Sequence, residues 1–111
     1  MRLPDTERRS REALLTVAVD MLDGRMHLIE GARRISELRV DCGDPDSDVF
    51  LPIRAVDSDT DHYPLGSVRN GVDSEYLRRL DGEMRDYLAE MSPVILDACR
   101  RIVARFSSPP V

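Results

Sequence analysis

Apolar residues recur along this chain at helical spacing in three stretches, and the segments between them carry the turn-forming and acidic residues. In the first stretch Leu14, Ala18, Met21 and Leu22 form an i, i+4, i+7, i+8 stripe, with Leu15 beside it and Val17 at its margin, while Arg9, Glu12 and Asp20 lie opposite. Asp5 or Thr6 is placed to cap this helix, and Gly24 to end it, because glycine takes the left-handed conformation at little cost. The second stretch runs from about Met26 to Arg39. Leu28, Ala32, Ile35 and Leu38 hold its apolar face, with Ile29 beside them, and Arg33, Arg34 and Glu37 point outward. Gly31 costs such a helix about 1 kcal/mol relative to alanine, and its lack of a side chain suits the close approach of a neighbour. A one- or two-residue link at Gly24-Arg25 makes the pair an antiparallel hairpin.

The third stretch opens on Asp73 or Ser74 as a cap and runs from Leu77 and Leu80 through Met84, Tyr87, Leu88 and Met91 to Ile95, Ala98, Ile102 and Phe106. Ser92-Pro93 interrupts it, but the apolar phase passes through intact. A kinked continuous helix is favoured over two abutting ones. Ser107 to Val111, with Pro109-Pro110, reads as a disordered tail.

Between the second and third stretches, Asp41 to Asp73 is too long for a plain loop in a compact domain. It divides into an acidic turn (43–48), an apolar run (49–56), a second acidic stretch (57–61) and the segment His62 to Arg69. The apolar run, Val49-Phe50-Leu51-Pro52-Ile53-Arg54-Ala55-Val56, is strand-like in composition, and Pro52 would restrict a strand to an edge. The pattern predicts an extended segment, or a minimal hairpin with Leu65–Arg69, laid across the helices. The expected fold is therefore mostly α: a three- or four-helix bundle with a partly extended connection packed on it. One domain covers 1–111, made of a helical hairpin (about 5–40), the excursion (41–73), a long or kinked C-terminal helix (74–106) and the tail.

The 111 residues, 41% apolar, are enough for a core without disulfide or metal. The two cysteines, Cys42 and Cys99, lack CxxC spacing and read as small core residues. Charged residues make up 33%, with a formal net charge of −5 and a pI of about 5.0. Every basic residue is an arginine, and lysine, glutamine and tryptophan are absent, as high-GC codon usage in a bacterium would produce. The net charge opposes nucleic-acid binding. The helix-borne arginines Arg78, Arg79, Arg100, Arg101 and Arg105 are interleaved with acids at pairing distance, as on a solvated helix face. The N-terminus has no apolar signal-peptide core and no apolar run reaches the roughly 18 residues of a membrane span, so the expectation is a cytoplasmic protein off the membrane.

Asp57, Asp59 and Asp61 form DxDxD, as do Asp44, Asp46 and Asp48, the opening of a calcium loop. That loop needs glycine at its sixth position and glutamate at its twelfth, where the chain has His62 and Val68, or Val49 and Ala55. Solvated loop carboxylates are the better reading, and no metal is expected. Cys42, Cys99, His27 and His62 have zinc-ligand atom types but not the paired short spacing of a zinc site. His27 reads as a helix-surface residue near the hairpin turn. His62, between Asp61 and Tyr63, has a carboxylate neighbour that would suit a general base, but no nucleophile motif, phosphate loop or oxyanion signature accompanies it. No catalytic residue and no cofactor is therefore assigned. Met84, Tyr87 and Met91 lie on the apolar stripe and read as core; only in a bundle of three helices would part of that stripe be left for a partner or a second copy of the chain.

The stretch Phe50-Leu51-Pro52, followed by Val56-Asp57-Ser58-Asp59-Thr60-Asp61-His62-Tyr63-Pro64-Leu65-Gly66-Ser67-Val68-Arg69, resembles a run in small bacterial helical proteins of unknown function. These share the plan of a hairpin before the run and a long helix after it. The resemblance implies the same plan over most of the chain and carries no catalytic residue. In size and acidity the chain is also similar to immunity proteins of contact-dependent toxin systems, an analogy of build that does not fix function. The expected function is a non-enzymatic protein-binding module with a basic partner. The alternative is a small enzyme or ligand-binding protein with a polar site at Asp57, Asp59, Asp61, His62, Tyr63 and Arg69; the structural reading favoured over it is that these residues pin the loop to the bundle, with Asp57 and Arg69 bracketing the excursion as an ion pair.

Overall fold

The structure, a computed structural model, describes residues 4–107. Four α-helices, α1 (Asp5–Leu22), α2 (Leu28–Leu38), α3 (Leu51–Asp59) and α4 (Ser74–Phe106), are joined by segments that include three short 3-10 turns, Arg39–Asp41, Asp48–Phe50 and Gly66–Gly71. No strand occurs among the described residues. The tail expected at 107–111 lies outside them except for Ser107.

The hairpin forms much as the spacing requires. Leu14, Val17, Ala18 and Met21 are the buried face of α1, with Ser10 one turn earlier, so Val17 belongs to the core. The helix starts one residue ahead of the expected cap: Pro4 holds the N-cap position with no side-chain bond, and Asp5 lies in the first turn, where its carboxylate suits the positive end of the helix dipole and pairs with Arg8 at 3.2 Å. At the other end Gly24 adopts φ +76°, and the Arg25 amide donates back to the Asp20 carbonyl at 2.8 Å, closing the helix in a Schellman motif. His27 is more than a surface residue, since its Nδ1 caps α2 by accepting from the Ile29 amide at 3.3 Å. Gly31 lets α1 close on α2: a Cβ there would stand 2.3 Å from Met21 Sδ. Arg33 does not point freely outward. Its guanidinium donates to the carbonyls of Thr60 and Tyr63, 2.7 Å away in the latter case, and so holds the end of α3.

The apolar run 49–56 is helical, not extended. Phe50, Ile53, Val56 and Thr60 are all fully buried at spacings of three, three and four, while Leu51, which would share a strand face with Ile53, is 53% exposed. Pro52 falls in the first turn of α3, where a helix makes no use of its missing N–H, so it starts a helix instead of marking an edge strand. The expected hairpin partner, Leu65–Arg69, is mostly 3-10 turn.

α4 is one continuous helix with Pro93 inside it. Proline removes one backbone donor, and Ser92 Oγ donates to the Leu88 carbonyl in the same turn. Asp73 caps the start by accepting from the Tyr76 amide at 3.2 Å. At about 1.5 Å per residue this helix sets the 54 Å long axis of the molecule, against 26 and 23 Å across. Its C-terminal half, through Ile95, Ala98, Cys99, Ile102 and Phe106, closes the main core with α1, α2 and α3, and Phe106 stacks on Phe50 at 5.6 Å between ring centres. Its N-terminal half is covered more thinly, by a second cluster of Ile29, Tyr63 and Leu80 with Leu65, Met84 and Leu88 around them. Cys42 and Cys99 are free thiols in the core. No helix among the described residues is long and apolar enough to cross a membrane.

Candidate functional site

The site begins at the end of α3. Thr60 is fully buried, and its hydroxyl turns back to the Val56 carbonyl at 2.6 Å. The chain then bends so that Tyr63 drops between Ile29 and Leu80, with its ring 4.1 Å from that of His62. Asp59, on the other side of α3, faces α4 and accepts a hydrogen bond from the Tyr87 hydroxyl at 3.3 Å. This contact brings the second acidic stretch against the middle of α4.

The electrostatics of both tyrosines report what surrounds them. Burial pushes the Tyr87 hydroxyl up to about 12, aided by the charge and hydrogen bond of Asp59 and by the charges of Tyr63 and Glu90. Tyr63 is raised above the ordinary tyrosine value by burial first, then by Glu83 and Asp86. Asp59, Glu83, Asp86 and Glu90 thus gather round two phenol rings, all four are exposed, and none has an ion partner within 4.0 Å among the described residues. The chain has 21 acidic residues and 16 arginines, and the segments 57–63 and 83–90 contain six of the acids and one arginine. The rest of the chain, with 15 of each, is balanced, so the whole formal charge of −5 resides in these two segments.

The other DxDxD run behaves differently. Asp44 pairs with Arg105 at 3.1 Å, and Asp46 lies 3.9 Å from Arg54 and 4.0 Å from Arg39, so arginines from three parts of the chain attend two of its three aspartates. Arg39 also donates to the Pro45 carbonyl at 2.8 Å, and Arg11 to the Cys42 carbonyl at 2.8 Å. These contacts fasten the turn to the helices.

The six residues singled out in the sequence do not converge on one pocket. Asp57 and Asp59 lie on a helix, where a spacing of two turns side chains to nearly opposite sides, so the carboxylates splay apart. Asp57 is half-buried without an ion partner among the described residues, Asp59 meets Tyr87, and Asp61 stands 3.9 Å from the exposed ring of His62. Tyr63 is buried. Arg69 does not pair with Asp57. It makes a two-pronged ion pair with Asp81, at 2.8 and 2.7 Å, which holds that carboxyl below the usual aspartate range and pins the 3-10 turn to α4. Arg69 and Asp81 border an open groove of about 280 Å³ with His27, Glu30, Leu65, Gly66 and Met84. Among the described residues no three His, Cys, Asp or Glu side chains are grouped to hold a metal ion. Glu83, Asp86 and Glu90 were not signalled by any motif, and Tyr87 only as a member of the apolar stripe; the uneven distribution of charge between segments is the sequence feature that marks the three acids.

Comparison of the chain with protein-family models, with curated proteins and with solved structures gives no match.

Proposed function

We propose that this chain is a non-enzymatic protein-binding module whose α3–α4 face receives a basic surface of another protein. The observation that carries the reading is the unpaired group Asp59, Glu83, Asp86 and Glu90 around Tyr63 and Tyr87. Carboxylates already balanced by arginines add little to recognition. A face that gathers four carboxylates without arginine partners among the described residues raises the local potential, steers encounter with a cationic partner and penalises an anionic one. Tyr87, half-buried with its hydroxyl at the surface, offers an apolar ring edge and a polar tip, the combination enriched at protein interfaces.

On this reading the four helices act as one bundle-like domain in the cytoplasm, and an inhibitor that masks a basic toxin, as an immunity protein does, is its sharpest form. Affinity capture from the native host tests it. The wild-type chain is expected to retain a stoichiometric basic protein, and Glu83→Gln/Asp86→Asn/Glu90→Gln to lose it while keeping the same helical dichroism. Equal retention by both chains would refute the assignment of the face.

A further inference from the structure

Glu83, Asp86, Glu90, Val94, Asp97, Arg101 and Arg105 follow one another along α4 at spacings of three or four, and every one of them is exposed. That spacing sets them in a single row. The packed side of the helix is another one, carrying Leu80, Ile95, Ala98 and Ile102. The row is graded: three acids without ion partners among the described residues at one end, two arginines at the other, and between them Val94, an apolar residue 43% exposed, and Asp97. The arginines have exposed partners, Asp97 at 3.1 Å for Arg101 and Asp44 at 3.1 Å for Arg105. Pairs of that kind contribute little and exchange readily.

We infer that this row is a self-association face, on which a second copy of the chain crosses α4 antiparallel, midway between Val94 and Asp97. An antiparallel crossing sets Glu90 opposite Arg101 and Asp86 opposite Arg105 of the other copy, and two-fold symmetry repeats both pairings. A parallel crossing would set like charge on like. From Glu83 to Arg105 the row is about 33 Å long, so the opposed charges flank a centre at which Val94 of each copy faces Asp97 of the other. The inference rests on the reading of the acidic face as a docking surface and names its occupant: the arginine end of another copy of the same helix.

Sedimentation equilibrium with charge-swapped chains tests it. The wild-type mass rises from 12.6 kDa toward twice that value with concentration, and rises less in about 0.5 M salt than in about 0.05 M, because exposed charges are screened. Asp86→Arg/Glu90→Arg and Arg101→Glu/Arg105→Glu each stay at the monomer mass. An equimolar mixture of the two dimerises, since two of the four opposed pairs then keep their original sign and the other two are restored with it reversed. All four positions are exposed, and an unchanged helical dichroism certifies each fold. A wild-type chain that stays monomeric throughout, or a mixture that does not associate, overturns the inference. If the chain stays monomeric yet captures a basic protein through Glu83, Asp86 and Glu90, only the second copy as occupant is excluded. If that capture also fails to depend on the three acids, the docking face itself is excluded.

Discussion

Gly31 lies under the end of Met21, so a single hydrogen in place of a methyl group decides how closely α1 and α2 pack. Alanine there gains about 1 kcal/mol of helix propensity but forces the thioether aside in a core where Met21 also touches Cys99, its sulfur 3.7 Å from the cysteine sulfur. Overpacking of this kind costs about 1–3 kcal/mol. Gly31→Ala is expected to lower stability by about 1 kcal/mol net, read from the urea midpoint; a rise would mean that the contact with Met21 does not exist. Tyr87 gives a pH-dependent counterpart. Its hydroxyl stays neutral up to about 12 in the folded chain, against an ordinary tyrosine value of 10.0. The stability this represents is fully present below pH 10, and it is lost as pH rises through the folded value. Stability is expected to fall between about pH 10 and 12, and Tyr87→Phe to flatten that fall; an identical alkaline profile for the two chains would contradict the environment assigned to Tyr87. The glycine was legible in the sequence, because a residue so costly inside a helical stripe asks for a reason. The bond between Tyr87 and Asp59 was not, since it joins residues 28 positions apart and depends on how α3 meets α4.

At the level of elements, α1, α2 and α4 were readable because each repeats its apolar face over several turns. α3 was not. Its nine residues are too few to separate a period of 3.6 from one of 2, and β-branched residues beside a proline suggested an edge strand. The deciding information lay one step beyond the run: Phe50, Ile53, Val56 and Thr60 keep helical phase, and only the last, a polar residue, completes the pattern. The two conformations make opposite demands on Leu51 and Ile53, which share a face in a strand and separate in a helix. Ile53→Ala is expected to cost about 2–4 kcal/mol and Leu51→Ala about 0.5 or less, measured by denaturant unfolding. Comparable losses at both positions would restore the extended reading. The helical form of α3 also disperses the DxDxD aspartates, which is why a motif that looks convergent in one dimension becomes Asp59 on one side and Asp57 on another.

Over the whole molecule, arginines answer some carboxylates, while others, Glu12, Glu30 and Asp41 among them, have no ion partner among the described residues. Arg39, Arg54 and Arg105 attend the first acidic turn, Arg69 attends Asp81, and Arg33 serves backbone carbonyls. Asp59, Glu83, Asp86 and Glu90 likewise lack such partners among the described residues, and what sets them apart is that they gather round Tyr63 and Tyr87. The reading of function depends on position and not on net charge alone, and two chains of equal charge separate these directly. Glu83→Gln/Asp86→Asn/Glu90→Gln and Glu12→Gln/Glu30→Gln/Asp41→Asn each remove three exposed carboxylates, the first set from the α3–α4 face and the second from elsewhere. In capture from the native host, the second chain is expected to retain the basic partner as the wild type does, and the first to lose it. Equal loss by both chains, or by neither, would contradict a localised acidic docking face.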